Sequence, residues 1–100
     1  MVLFHVTSRK NLESIMKSGL VPQLGKYARE MGETRPSVWM FPCLEDAQEM
    51  APIWLEPFYG ADLGFLRIDL PDDFDIETTG SDYELFTTER IAPNRISIIS

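Results

Sequence analysis

Cysteine and histidine are almost missing from this 100-residue sequence, which contains one of each. A single thiol cannot close an internal disulfide, so the composition predicts a reducing compartment and a cytoplasmic protein. One histidine and one cysteine cannot build a structural zinc site, and no metal is expected. The chain has no histidine besides His5 that could act as a base for Cys43, so a cysteine nucleophile is not expected either.

Positive charge is also scarce, because 9 lysine and arginine residues stand against 16 aspartate and glutamate residues and the net charge is −7. This balance argues against an electrostatic grip on the phosphates of nucleic acid. It is compatible with a nucleotide held in a local pocket by backbone amides and a few basic residues. The sequence has no apolar run near the ~20 residues that span a bilayer. It also lacks a basic N-terminal segment followed by an apolar one, so neither a membrane protein nor a secreted one is expected.

The residues that are present suffice for one folded domain. Hydrophobic residues make up 44% of the chain and include two Trp, six Phe and three Tyr, so a core is expected and disorder is not. A chain of this length leaves no room for a second domain, and residues 1–100 are predicted to form a single one.

The first twenty residues predict a strand, a polar corner and a short helix. Alternation over residues 2–6 places His5 and Thr7 on one face of the strand. Ser8 is predicted to cap the helix, and Gly19 to end it in a left-handed conformation. A lone histidine near a strand end is usually a core residue with one hydrogen bond, so a functional role for His5 needs support from elsewhere in the chain.

The rest of the chain predicts one more helix and several strands. Pro52 and Pro57 are expected to end the helix and leave a loop that packs on the core or forms a partner surface. The order of strand and helix twice, followed by strands, indicates an α+β fold. The predicted elements are a strand over 37–41, a helix from Leu44 to about Ala51, and strands over 65–70, 74–76, 83–88 and 96–99.

A polar segment from Lys26 to Pro36 is predicted to be a mobile loop that closes over a ligand. It carries Lys26, Arg29 and Arg35, three of the nine basic residues. This is therefore where we expect a phosphate contact. A solvated loop without a ligand, or a single turn of helix, is the alternative.

Three short patterns stand out by their order along the chain. Phe4-His5-Val6-Thr7 precedes a helix, Val38-Trp39-Met40-Phe41 leads into another, and Tyr83-Glu84-Leu85-Phe86 precedes Ile91-Ala92-Pro93. In this order they resemble the ADP-ribosyltransferase superfamily, most of all its DNA-targeting toxins and the RNA 2′-phosphotransferase-like proteins. The resemblance covers about half the chain. It implies a small split β-sandwich of six or so strands with two to three short helices.

The resemblance also implies a site for NAD, the substrate of these enzymes. His5 would donate a hydrogen bond to a ribose of NAD, and Thr7 would be the small hydroxyl residue two positions on. Trp39 stands where the family usually has a tyrosine packed against nicotinamide, and its face would attract that cationic ring. Phe41 stands where a serine or threonine is common, so a hydroxyl is missing there. The arginines of the phosphotransferases are not evident, so that activity is not expected.

Glu84 would be the catalytic glutamate, and Glu89 would replace it if the register is shifted. Breaking the nicotinamide–ribose bond creates an oxocarbenium cation, which a fixed carboxylate stabilises. The resemblance therefore predicts transfer of ADP-ribose to a protein or nucleic-acid acceptor, or hydrolysis of NAD. The alternative is a non-catalytic module that keeps the scaffold and binds a nucleotide or a protein partner. On the first hypothesis, His5, Trp39 and Glu84 should meet in one cleft.

Overall fold

The computed structural model describes residues 1–23, 32, 35–78 and 84–99 of the chain. The helices in this part are α1 (Leu12–Ser18), α2 (Leu44–Trp54) and the single turn α3 (Glu56–Tyr59), with 3₁₀ turns at Arg9–Asn11 and Pro93–Arg95. The strands are β1 (Val2–Ser8), β2 (Val38–Met40), β3 (Leu63–Asp69), β4 (Glu77–Thr78), β5 (Leu85–Thr87) and β6 (Ile96–Ile98). None of the helices in the described ranges is long and apolar enough to cross a lipid bilayer.

The strands form two antiparallel sheets. In the first sheet β3 lies between β1 and β6, and in the second β5 lies between β2 and β4. Two backbone hydrogen bonds between Phe4 and Phe41, of 2.9 and 2.7 Å, join β1 to the residue that follows β2. The predicted α+β class is confirmed, with six strands among the described residues. The relation to ADP-ribosyltransferases stays a prediction.

β1 is covered on both faces, because its alternating side chains enter two apolar clusters. Leu3 lies in the main core, where both sheets meet α1, and Val6 points the other way and packs against α2. The main core consists of Leu3, Leu12, Ile15, Leu20, Val38, Met40, Leu66, Ile68, Leu70, Ile91 and Ile96. The second cluster consists of Val6, Phe41, Ala47, Ala51 and Leu63.

β3 has the alternation that its sequence predicts. Leu66, Ile68 and Leu70 are buried in the main core, whereas Arg67 and Asp69 are exposed. Burial of such an aliphatic side chain contributes about 1.5–3 kcal/mol to folding. Leu66 pairs with His5 of β1, and paired residues of neighbouring strands share a face. The side chain of His5 therefore leaves β1 on the face of the main core.

The corner between β1 and α1 differs from its prediction. Ser8 still belongs to β1, where it pairs with Leu63, and its side chain makes no capping hydrogen bond. A 3₁₀ turn follows before α1 begins at Leu12. The prediction of Ser8 as the cap of α1 is wrong because β1 extends two residues beyond its apolar pattern, held by pairing with a distant strand.

Gly19 ends α1 with a positive φ of 84°, as predicted, although its ψ of −174° lies outside the left-handed helical region. Leu20 and Ile91 exchange backbone hydrogen bonds of 2.9 Å next to it. A Cβ atom on Gly19 would overlap the carbonyl oxygen of Ile91. This position therefore needs glycine both for its backbone conformation and for close packing.

Pro52 and Pro57 do not produce the predicted loop, because both lie in helices. α2 continues through Pro52 to Trp54, and the amide of Leu55 still donates to the carbonyl of Ala51 at 2.8 Å. A proline inside a helix removes one hydrogen bond and strains the previous turn, and here packing of α2 on β1 retains the helix. Pro57 lies in the first turn of α3, where no amide donor is needed.

Strands in the last third of the chain are shorter than predicted. The predicted strand over 74–76 is wrong, because Phe74 closes a turn by donating to the carbonyl of Pro71 at 3.0 Å, and β4 begins only at Glu77. The strand predicted over 83–88 is β5 at 85–87, and residues 79–83 lie outside the described residues. The strand predicted over 96–99 is β6 at 96–98.

Candidate functional site

A cleft of about 490 Å³ opens beside the seam between the two sheets. Its described walls come from the end of β1, one side of α1, residues 37–41 around β2, the corner between α2 and α3, and the residue before β5. The volume lies within the range of roughly 300–1,000 Å³ that small-molecule sites occupy.

Five of the predicted site residues meet in this cleft. They are His5, Thr7, Trp39, Phe41 and Glu84. The predicted convergence of residues from the first, second and last thirds of the chain is confirmed, since β1, β2 and β5 are brought together by sheet pairing and the bridge after β2. Their roles stay predictions.

Of the two predicted arginines only Arg35 is described, and it is not among the described residues that line the cleft. Arg29 lies outside the described residues, as does most of the predicted lid over residues 26–36. Arg35 donates through Nη2 to Glu77 Oε1 at 3.3 Å, and its guanidinium carbon lies 5.4 Å from the centre of the Phe86 ring. A phosphate contact by Arg35 therefore stays a prediction, and in this structure its guanidinium interacts with β4 and β5 instead.

The structure separates the two glutamates that the sequence left as alternatives. Glu84 is half-buried, directly precedes β5 and lines the cleft. Glu89 is exposed beyond β5, its amide donates to the Thr87 hydroxyl at 3.1 Å, and it is not among the lining residues. Glu84 is thus the carboxylate that the described part of the chain presents to the cleft.

His5 is held by the backbone of the second sheet. Its Nδ1 lies 2.6 Å from the carbonyl oxygen of Trp39, and because a carbonyl only accepts, Nδ1 carries the proton. Burial lowers the pKa of His5, with the bond to Trp39 acting in the opposite direction. His5 is therefore neutral at pH 7, and its Nε2 is an acceptor. The sequence analysis expected His5 to donate a hydrogen bond to a ribose. With this proton position a ribose hydroxyl would instead donate to Nε2 of His5.

A polar corner adjoins His5 at the end of β1. Asn11 donates through Nδ2 to Thr7 Oγ1 at 3.1 Å, and both residues line the cleft. The Thr7 hydroxyl accepts in this bond, so its own proton is available to a ligand. Together His5 and Thr7 offer one acceptor and one donor, which suits the paired hydroxyls of a ribose.

Trp39 stands on the outer face of the second sheet, since its neighbours Val38 and Met40 point into the main core. It pairs with Phe86 across the strands, and the two ring centres are 4.8 Å apart with a 35° tilt. The guanidinium carbon of Arg35 lies 5.4 Å from the centre of the Phe86 ring. Trp39 is therefore held by an aromatic neighbour that itself packs on an arginine, and it lines the cleft.

The corner between α2 and α3 contributes residues that the sequence analysis did not place in a site. Trp54, Leu55 and Tyr59 line the cleft. The Trp54 ring stacks on Phe41 with centres 6.0 Å apart and a 22° angle, and burial raises the pKa of the Tyr59 hydroxyl. The sequence signal for this part of the site was the high number of aromatic residues over 54–59. These residues can be assigned to a wall of the cleft only when α2 is known to continue past Pro52.

Cys43 does not belong to this cleft. It is partly exposed at the start of α2, and its hydrogen bond with the Asp46 carboxylate raises the pKa of the thiol. The thiol therefore stays protonated at neutral pH, which makes it a poor nucleophile. Among the described residues, no group of three or more His, Cys, Asp and Glu side chains could hold a metal ion.

Comparison with protein-family models found no match, and comparison with curated proteins found none either. The inference of a function therefore depends on the geometry of the cleft and on the order of the three sequence patterns.

Proposed function

We propose that the domain binds NAD in this cleft, cleaves the nicotinamide–ribose bond and passes ADP-ribose to a macromolecular acceptor or to water. The observation that carries the proposal is that His5, Trp39 and Glu84, which lie on three separate strands or strand ends, line one cleft. A flat aromatic face, an acceptor for sugar hydroxyls and a carboxylate are the groups that this reaction uses.

The reaction requires a negative charge beside the sugar. When the bond between C1′ and the nicotinamide nitrogen breaks, its electron pair leaves with the nitrogen, and positive charge spreads over C1′ and the ring oxygen. The Glu84 carboxylate would stabilise this cation, and the nucleophile would bond to C1′ while giving its proton to Glu84 or to solvent. Loss of one such preorganised group typically costs about a hundredfold to a thousandfold in rate.

His5 and Trp39 would act by binding and positioning. Nε2 of His5 would accept from a ribose hydroxyl in both the ground state and the transition state, so it would contribute to affinity and to rate alike. Trp39 would hold the cationic nicotinamide ring against its face. Release of neutral nicotinamide ends that attraction, which helps the leaving group to depart.

The proposal is tested by replacing Glu84 with glutamine. Glu84→Gln retains the shape and most hydrogen bonding but removes the charge that faces the oxocarbenium ion. We expect the release of nicotinamide from NAD to fall by about a hundredfold or more, with the NAD dissociation constant little changed. Chromatography of the products and isothermal titration calorimetry measure the two quantities.

Glu89→Gln is the matched control, because Glu89 lies five residues further on, is exposed and does not line the cleft. It should retain the turnover of the parent protein. Equal turnover in the parent and in Glu84→Gln would remove the catalytic assignment, and loss of turnover in Glu89→Gln alone would show that the register is shifted.

A non-catalytic nucleotide-binding module is the second candidate function, and the burial of the Phe41 ring favours it. Phe41 is 6% exposed and stacks on Trp54, so the family's common hydroxyl is replaced by a packed ring. Such a module would bind NAD or a related nucleotide without releasing nicotinamide. Calorimetric binding by the parent protein without any turnover would establish this alternative.

A further inference from the structure

The corner between α2 and α3 forms an aromatic wall of the cleft that takes no part in the proposed reaction. Trp54, Leu55 and Tyr59 line the cleft there, and all three side chains are only partly buried. Burial raises the pKa of the Tyr59 hydroxyl, so the whole wall is uncharged at neutral pH. Flat apolar walls of this kind are where proteins hold the rings of small ligands.

The corner is a rigid part of the fold. The amide of Leu55 donates to the carbonyl of Ala51, and the amide of Tyr59 donates to that of Leu55, both at 2.8 Å. The Trp54 ring stacks on Phe41 with centres 6.0 Å apart, and the three side chains of the wall pack against the second cluster. A ligand that stacked on these rings would therefore cost little side-chain entropy on binding.

This wall is separate from the place where the proposed reaction occurs. Trp39 pairs with Phe86 of β5, two residues after Glu84, so the ring that is bonded to the reacting carbon belongs at Trp39. Trp54 and Tyr59 pack instead with the second cluster, in which none of the described residues of β5 takes part. A ring held at the corner is therefore a second ring, away from the bond that breaks.

NAD contains a second ring of the required kind. Adenine is flat and uncharged at pH 7, and its stacking on an aromatic side chain does not depend on a charged partner. Loss of one such stacking partner typically weakens the binding of a base by about fivefold to a hundredfold. The apolar surroundings of the corner also suit a neutral ring better than the cationic nicotinamide ring.

We infer that the corner between α2 and α3 is the adenine subsite of the cleft, with the adenine ring stacked on Trp54 and Tyr59. This inference rests on the proposed function and deepens it, because it assigns the two rings of NAD to two aromatic walls. No bond forms or breaks at the corner. Its residues should therefore contribute equally to the ground state and the transition state, so their loss raises KM and leaves kcat unchanged.

Single-tryptophan variants of the intact domain test the assignment. The chain has two tryptophans, so Trp39→Phe leaves only Trp54 to report, and Trp54→Phe leaves only Trp39. ADP-ribose, which has adenine but no nicotinamide, should quench the emission of Trp54 and leave that of Trp39 nearly unchanged. Nicotinamide mononucleotide, which has nicotinamide but no adenine, should give the opposite pattern.

Calorimetric titration measures what each ring contributes to affinity. Trp54→Leu should weaken ADP-ribose and NAD by a similar factor of about fivefold or more, and nicotinamide mononucleotide by less than about twofold. Trp39→Leu is the matched control, and it should weaken NAD and nicotinamide mononucleotide but not ADP-ribose. Tyr59→Leu should act as Trp54→Leu does, whereas Tyr59→Phe keeps the ring and most of the affinity. Thermal unfolding identifies a leucine variant that has lost its fold, and the phenylalanine variants then decide the question.

The outcomes separate this inference from the proposed function. Quenching of Trp54 by nicotinamide mononucleotide but not by ADP-ribose overturns the inference, as does equal affinity of the parent and a folded Trp54→Leu for ADP-ribose. Turnover of NAD that depends on Glu84 leaves the proposed function intact in both cases. Quenching of Trp54 by ADP-ribose without release of nicotinamide from NAD supports the adenine subsite and contradicts the catalytic function. If ADP-ribose does not bind the parent protein, the inference is wrong.

Discussion

His5 lies at the boundary between the main core and the cleft, and its charge state follows from that position. Burial lowers its pKa below the ordinary value of 6.5, so the unfolded chain takes up a proton before the folded one as the pH falls. The stability that neutral His5 contributes is complete above about pH 6.5 and is lost as the pH falls through the lower pKa of the folded state.

This gives a prediction for stability against pH. We expect the free energy of unfolding of the parent protein to fall relative to that of His5→Gln between about pH 7.5 and pH 5, because glutamine does not titrate. Urea denaturation of both proteins at several pH values measures the difference, in which the titration of shared carboxylates cancels. A difference that instead grows in favour of the parent toward acid would mean that the folded state stabilises the imidazolium.

Arg35 offers a second prediction at the scale of one residue. Its guanidinium covers Phe86, which in turn packs on Trp39, so we expect Arg35 to position the tryptophan rather than to bind phosphate. Arg35→Ala should weaken the binding of NAD and of its phosphate-free part, nicotinamide riboside, by a similar factor of about two to three, and it should change the tryptophan emission. Arg35→Lys keeps the charge but not the planar group, so its affinities should fall between those of the parent protein and those of Arg35→Ala.

A phosphate ligand would give a different pattern. It would contribute to the binding of NAD and ADP-ribose but not of nicotinamide riboside, and lysine would retain much of that contribution. Selective loss of the two phosphate-bearing ligands in Arg35→Ala would therefore support the phosphate contact that the sequence predicts. The ion pair with Glu77 is exposed, so little change in stability is expected in either case.

At the scale of one helix, the end of α1 depends on the absence of a side chain at Gly19. Gly19 and Gly60 have nearly the same backbone conformation, with φ of 84° and 82° and extended ψ. Only Gly19 is packed against a carbonyl, that of Ile91, whereas a Cβ on Gly60 would meet open space. The two glycines therefore separate backbone strain from close packing.

We expect Gly60→Ala to lower the free energy of unfolding by about 1–3 kcal/mol from strain alone, and Gly19→Ala to lower it further, because an overlap with backbone is added. Gly19→Ala should also weaken ligand binding, because Gly19 and Leu20 line the cleft. Denaturant unfolding and calorimetry measure both effects. Equal losses in the two variants would mean that α1 shifts to accept the methyl group at no cost.

α2 shows why local rules fail for one element and succeed for another. β3 was predictable because its alternation and its burial agree. Considered alone, Pro52 predicts the end of a helix. α2 nevertheless continues, because Ala47 and Ala51 are fully buried against β1. Contacts with residues forty positions away compensate for one missing hydrogen bond, and no window of sequence around Pro52 contains them.

At the scale of the whole molecule, the sequence predicted the α+β class, most strands and five residues of the cleft. Resemblance placed His5, Trp39 and Glu84, since each lies beside a strand with a recognisable pattern. The order of the strands within each sheet and the aromatic wall of Trp54 and Tyr59 were missed, because they arise from contacts between distant segments. The proton position of His5 was also missed, because it is set by the carbonyl of a residue in the other sheet.

The pairing of β1 with β3 has a consequence for synthesis of the chain on the ribosome. Val2 pairs with Asp69 and Ser8 with Leu63, so apart from the bridge between Phe4 and Phe41, β1 lacks its partner strand until β3 has been translated. At about 5–20 residues per second this delay lasts roughly 3 to 12 s. Both faces of β1 become buried in the finished domain, so during that interval its apolar side chains are available to a chaperone. Folding should then begin late and proceed from long-range pairing, which is slow compared with the local closure of a helical bundle.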